Sequence, residues 1–143
     1  MNPSSSGPRL GRSVLAVFAG LLVNVIPAVA IDGVLHATGV FPAMPERMSD
    51  GLFILAAAYR VLLGVAGAYV TARLAPRSPV MHALVLGSVG VAMCTAGMLA
   101  MRDAGPVWYP LSLIVLIVPC SLLGAALAGK GPTAPTVVST SAD

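Results

Sequence analysis

The sequence predicts an all-α, polytopic membrane protein that folds as an antiparallel up-and-down bundle of four transmembrane helices. Of its 143 residues, 57% are hydrophobic and only 9% are charged, whereas a soluble domain has about 25% charged residues. A helix needs roughly 20 apolar residues to cross the hydrocarbon core of a bilayer. The sequence has four such stretches, at about residues 13–35, 52–74, 80–101 and 107–128.

The first stretch follows a polar tail, residues 1–12, which we expect to be disordered and cytoplasmic. Basic residues, an apolar stretch and Ala-Val-Ala at 28–30 also resemble a secretory signal with its cleavage site. We interpret the stretch as a retained helix, because its apolar run exceeds the usual 7–15 residues of a signal and contains Asn24 and Pro27. Cleavage would leave three spans.

Short connections separate the other three stretches. Ser49-Asp50 is typical of a helix start and precedes the second stretch. The links at 75–79 and 102–106 are short and contain proline, so they predict antiparallel neighbours in a compact bundle. A polar tail at 130–143 follows the fourth stretch, and we expect it to be disordered and cytoplasmic as well.

The distribution of basic residues predicts the orientation. Short loops that carry Lys and Arg tend to stay in the cytoplasm. Five of the eight basic residues lie on one side of the predicted bundle and two on the other, which favours both termini in the cytoplasm. The predicted interface anchors are Arg12, Arg73, Arg77, Trp108, Tyr109 and Lys130.

The second predicted helix carries Arg60 in the middle of an apolar stretch. Residues four apart share one helix face, and the face of Arg60 otherwise holds only small residues. Small residues let helices approach closely in a membrane. Arg60 is therefore expected to point into the protein or a partner subunit. The residues predicted to pack between helices are Gly20, Ala56, Gly64, Ala68 and Gly87.

The first predicted helix has a matching polar stripe of Asn24, Asp32 and His36. At about 1.5 Å per residue, Asn24 lies about 16 Å and Arg60 about 18 Å above the inner edge, with Asp32 about 10 Å higher. A lone arginine at a helix centre costs about 2.5–3.5 kcal/mol on insertion scales. We therefore predict an Asn24–Arg60–Asp32 network between helices 1 and 2.

Two interpretations of this network remain open. It is either a structural clamp that fixes the helix register or a site for an ion, a proton or a substrate, since intramembrane ionisable residues often have a function. One Asp–Arg pair lacks the second acid of a proton relay. Pro27 and Pro119 loosen their helices near polar groups, which slightly favours a site. His36 could respond to pH or simply be solvated at the outer interface.

Other functional classes have little support in the sequence. The spans contain no nucleophile–base pair, phosphate loop, haem ligand pair or metal-spaced cluster, so we expect no enzymatic activity, no cofactor and no metal. Cys94 and Cys120 lie at different predicted depths and are interpreted as packing residues. The net charge of +3 comes without a basic patch interleaved with aromatic residues. We expect a lipid bilayer as partner and no nucleic acid.

The chain contains Asp32, VFP at 40–42, AYR at 58–60, ARLAPRSPVMHALVLG at 72–87 and WYP at 108–110. Together these motifs resemble uncharacterised small four-span membrane proteins of the bacterial inner membrane. The resemblance covers about residues 12–129. It implies the four-helix topology and a bacterial inner membrane, and it implies no activity. The chain departs from small multidrug exporters, because it has no glutamate in the middle of helix 1.

The sequence therefore predicts a small integral membrane protein with one of two roles. The first is an accessory or scaffolding subunit, or a homo-oligomer, in which the polar network is a clamp. The alternative is a small transporter or channel subunit that uses the network as a binding site. A water-accessible cavity that reaches Arg60 would favour the second role, whereas a dry, fully paired arginine would favour the first.

Overall fold

The structure is a computed structural model that describes residues 7–43, 46–100 and 105–129. These ranges form an all-α, antiparallel bundle, and no β-strand occurs in them. Each helix is long and apolar enough to cross a membrane, so the predicted class, a four-span membrane protein, is confirmed. The helices are α1 (Gly7–Ala37), α2 (Asp50–Leu74), α3 (Pro79–Ala100) and α4 (Trp108–Gly129).

The helix bounds differ most from the prediction at the start of α1. Residues 7–12, which we expected to be part of a disordered tail, are helical, because helical hydrogen bonding does not stop where the apolar residues stop. The other three helices lie within two residues of their predicted bounds. Residue 101, Lys130 and the predicted tail at 130–143 lie outside the described residues.

The connection between α2 and α3 turns the chain within four residues. The Ala75 N–H donates to the Thr71 carbonyl at 3.0 Å, which closes the last turn of α2. Ser78 has a φ of 45°, a left-handed conformation that lets the chain reverse before α3. At the other end of α2, the predicted start is present, since the Ser49 carbonyl accepts from Leu52 N at 3.1 Å.

Helix α2 is the central element of the bundle. It packs most extensively against α4 and against α1. Helix α3 packs mainly against α4 and less against α2, so the short α2–α3 link joins helices that are not the closest pair. Helices α1 and α3 have the least extensive contact of the pairs that touch, and α1 does not contact α4 within the described ranges.

Small residues close one half of the bundle, here called the packed half, which comprises residues 7–20, 65–74, 79–87 and 121–129. A Cβ on Gly67 would lie 2.7 Å from the Gly20 carbonyl oxygen, and a Cβ on Gly124 would lie 2.6 Å from the Val65 carbonyl oxygen. Backbones this close gain dispersion contacts that do not depend on water. A cluster of buried alanines fills the remaining space, namely Ala68, Ala72, Ala83, Ala125 and Ala128.

The opposite half carries the α1–α2 and α3–α4 connections and is here called the open half, residues 21–37, 50–64, 88–100 and 108–120. Few of its residues are buried. Pro27 and Pro119 lie inside α1 and α4 in this half, and both helices continue through them. The functional candidates of the sequence, Arg60 and Asp32, also lie here.

Candidate functional site

Arg60 in α2 binds side chains from two other helices. Its Nη2 forms a salt bridge with Asp32 Oδ2 in α1, and its Nη1 donates to the Tyr109 hydroxyl in α4 at 2.9 Å. The side chains of Arg60 and Asp32 keep 34% and 27% of their surface accessible. The structure thus brings together two of the three predicted network residues and adds a third helix.

Asp32 accepts hydrogen bonds from two neighbouring residues of α2. Tyr59 donates its hydroxyl to Oδ1, while Arg60 donates to Oδ2. The Arg60 guanidinium also lies 5.8 Å from the centre of the Tyr59 ring. A carboxylate removed from water needs such partners, because an unpaired charge is strongly disfavoured there. Tyr59 was not predicted as a site residue, and its only signal was its position beside Arg60.

Tyr109 has a different place from the one predicted for it. We expected an anchor at the membrane interface, but its hydroxyl accepts from Arg60 inside the bundle. The ring lies against Phe53 of α2, with ring centres 5.1 Å apart, and Trp108 packs edge-on against Phe53 at 6.4 Å. This aromatic cluster fixes the first turn of α4 on α2 and so positions the Tyr109 hydroxyl.

The predicted contact between Asn24 and Arg60 was wrong. Within the described residues, no hydrogen bond joins the two side chains. Asn24 packs instead near Gly67, since a Cβ on Gly67 would lie 3.3 Å from Asn24 Cβ. The two α-carbons were placed at similar depths by counting residues, but the Arg60 guanidinium binds Asp32 and Tyr109, which lie nearer the α1–α2 and α3–α4 connections than Asn24 does. Asn24 lines the cavity described below.

His36 contacts the main chain of Asp32 and not its carboxylate. Its Nδ1 lies 2.8 Å from the Asp32 carbonyl oxygen, one helical turn earlier. The ring stacks edge-on against Phe41 at 5.3 Å and is otherwise exposed. His36 therefore belongs to the end of α1 and lies outside the Arg60 network.

Four of the five residues predicted to pack between helices are buried, and they are Gly20, Ala56, Ala68 and Gly87. Gly64 differs, because a Cβ there would meet only Cys120 Cβ, at 3.9 Å, which is an ordinary contact. Gly64 lines the cavity. The tightest helix contacts also use Gly124 of α4 and Gly67, which the prediction missed because it lies off the face of Arg60.

Three predicted anchors, Arg12, Arg73 and Arg77, have exposed side chains near helix ends. Trp108 is also exposed. The two cysteines are free, with Cys94 half-buried and Cys120 buried.

A cavity of about 950 Å³ occupies the open half and reaches Arg60. This volume lies near the top of the range of about 300–1,000 Å³ that small-molecule sites have. All four helices contribute to its walls, and Gly87 and Ser121 of the packed half lie at its floor. Its polar groups are few, and they include Asp32, Arg60 and Tyr109.

The site therefore combines one permanent cation, one carboxylate and two phenols with mostly apolar walls. Among the described residues, no group of three His, Cys, Asp or Glu side chains is placed to hold a metal ion. No known protein family, curated protein or solved structure matches this chain.

Proposed function

We propose that the chain is a small transporter or channel subunit that binds its substrate at the Arg60 network. The observation that carries this proposal is the cavity, which extends to the guanidinium of Arg60. A clamp would need only a dry, fully paired arginine, but about a third of the Arg60 side chain is accessible. Ionisable side chains that face a cavity within a bundle commonly mark substrate or ion pathways.

The closed packed half supports the same role. The Gly20–Gly67 and Gly124–Val65 contacts leave no space for a ligand there, so a substrate would reach Arg60 from the open half. Access from one half at a time is what a carrier requires. The loosened helices α1 and α4, each with an internal proline, border the cavity and are the natural elements to move.

The proposed location is a bacterial inner membrane with both termini in the cytoplasm. The orientation is supported by the distribution of Lys and Arg between the two ends of the bundle, and the type of membrane by the resemblance alone. This orientation would place the packed half at the cytoplasmic face and the open half at the outer face.

Labelling of Cys94 in lipid nanodiscs tests the proposal directly, because Cys94 lines the cavity. A charged methanethiosulfonate reagent reacts with thiols in water and not in a dry protein interior. We expect Cys94 to be modified in the folded protein and Cys120, which is buried, to react more slowly. Mass spectrometry of peptides measures both, and Cys94→Ser is the control.

A Cys94 thiol that reacts only after unfolding would show that the cavity is dry and would contradict a binding role. The second candidate would then be preferred, an accessory or scaffolding subunit or a homo-oligomer with a structural clamp. The observation that favours it is that Arg60 joins α2 to both α1 and α4. Its own test is a pull-down in mild detergent, where recovery of only a dispersed monomer without partners would count against it.

A further inference from the structure

The exposure of its lining residues places one opening of the cavity between α1 and α3. Val29 of α1 and Met93 and Leu99 of α3 line it, yet they are 64%, 51% and 53% exposed. These residues therefore form a rim and not a closed wall. The two helices that carry the rim are also the pair with the least extensive contact.

Two of the three rim residues, Val29 and Met93, lie at the depth of acyl chains. Val29 is eight residues from the end of α1, and Met93 is seven residues from the end of α3. At about 1.5 Å per residue these positions are about 10–12 Å from the helix ends, within one leaflet of a hydrocarbon core about 30 Å thick. All the rim side chains are apolar. This side opening therefore faces lipid, while the exposed Glu46 and His36 mark the end of the cavity that faces water.

The polar end of the cavity has spare hydrogen-bond donors. A guanidinium has five N–H groups and no acceptor, and the partners found for it in the described part of the chain, Tyr109 and Asp32, take one N–H on each terminal nitrogen. Each terminal nitrogen therefore keeps one N–H. Asp32, in contrast, already accepts from both Tyr59 and Arg60. The unused N–H groups of Arg60 can donate to an oxygen acceptor, and a negatively charged oxygen binds them most strongly.

The other titratable residues on the cavity wall do not change this preference. Glu46 and His36 are exposed and lie in or next to the α1–α2 connection, where water screens their charge.

We infer that the ligand is an acyl-chain amphiphile with an anionic oxygen headgroup, either a carboxylate or a phosphate, which enters between α1 and α3. The headgroup binds Arg60, and the acyl chain lies along the apolar walls and leaves through the rim. This inference rests on the proposed substrate site. It explains why a cavity with a permanent cation at its polar end also opens sideways toward hydrocarbon.

Native mass spectrometry of the full chain released from phosphatidylcholine nanodiscs tests the headgroup. Palmitate, phosphatidic acid and uncharged dioleoylglycerol are added in separate arms. We expect an anionic lipid to be retained at least about tenfold better than dioleoylglycerol. This is the difference in affinity that one charge-assisted hydrogen bond contributes. The first two arms distinguish a free fatty acid from a phospholipid. Arg60→Gln should lose this preference, whereas Arg73→Gln, which changes an exposed cation of the same helix, should keep it.

Paired glycine substitutions test the lateral route. A Cβ on Gly97 or on Gly33 would meet nothing within 4 Å, so both helices tolerate a larger side chain there. Only Gly97 lines the cavity. Gly97→Phe should therefore reduce lipid retention, while Gly33→Phe should not.

Equal retention of dioleoylglycerol and the anionic lipids, or an unchanged preference in Arg60→Gln, would overturn the headgroup inference even if Cys94 labelling shows a wet cavity. If Arg60→Gln fails to fold, Arg60→Lys replaces it, because lysine keeps the positive charge. The headgroup inference then requires that both the unaltered chain and Arg60→Lys retain anionic lipids better than dioleoylglycerol. Equal retention by the two glycine variants would overturn the lateral route. An unlabelled Cys94 together with no retained lipid would remove the substrate site as well.

Discussion

Arg60 can occupy an apolar span because it is paired on two sides. Its charge is neutralised by Asp32, and its second terminal nitrogen binds a neutral phenol. The cost of an arginine at a helix centre, about 2.5–3.5 kcal/mol on insertion scales, is thereby partly offset. A pair of this kind makes each member depend on the other, because either charge alone is less favourable than both or neither.

A double-mutant cycle tests this dependence. Asp32→Ala leaves the Arg60 charge without its carboxylate, so we expect the free energy of unfolding to fall by about 1–3 kcal/mol, less than for a fully buried pair because both side chains are partly accessible. Adding Arg60→Met should recover part of the loss. Thermal or denaturant unfolding in detergent measures both. Glu46→Ala, an exposed acid, is the control, and a double variant less stable than Asp32→Ala would contradict the interpretation.

The Asp32–Arg60 pair was predictable because both residues stand out in apolar helices and lie within reach. The role of Tyr109 was not predictable in the same way. Residue counting gives the depth of an α-carbon, whereas a long arginine side chain ends several ångströms away from it. Which neighbour it meets there depends on helix crossings, and the sequence does not specify that α4 lies beside α2.

At the scale of the helices, two close crossings determine the shape of the bundle. Gly20 of α1 lies against Gly67 of α2, and Gly124 of α4 lies against Val65 of α2. These contacts bring three helices together in the packed half. The same helices carry larger side chains in the open half, where the cavity lies between them. The sequence predicted the helices well, but only some of the packing residues, because the crossing point selects which small residues meet.

Gly20→Ala should weaken the α1–α2 crossing. The new Cβ would lie 2.5 Å from the Gly67 carbonyl oxygen and 1.8 Å from Thr71 Oγ1, and the backbone atom cannot move aside without separating the helices. We expect a loss of about 1–3 kcal/mol, as for other overpacked sites. Gly33→Ala in the same helix has open space and should be neutral or slightly stabilising. Denaturant titration of both variants measures this, and equal stability would argue against a tight crossing.

At the scale of the whole molecule, the two halves of the bundle differ in how much space they leave between the helices. The packed half has buried alanines and close backbones, whereas the open half has a cavity that reaches Arg60. Composition predicted four spans and could not predict this asymmetry, since all four helices are similarly apolar along their length. The asymmetry arises from where small residues coincide on neighbouring helices. It implies that water-soluble reagents reach the interior of the bundle from one side only.

Sidedness can be measured in vesicles of known orientation with an impermeant, charged thiol reagent. We expect Cys94 to react from the side of the α1–α2 connection and not from the side of the termini, because the packed half blocks that path. A Cys94→Ser/Gly11→Cys variant supplies the opposite reference, since Gly11 is exposed near the start of α1 with open space around it. Its thiol should react only from the terminal side. If both thiols reacted from the same side, or Cys94 reacted equally fast from both, the packed half would not be a barrier, and the one-sided access that supports a carrier would be absent.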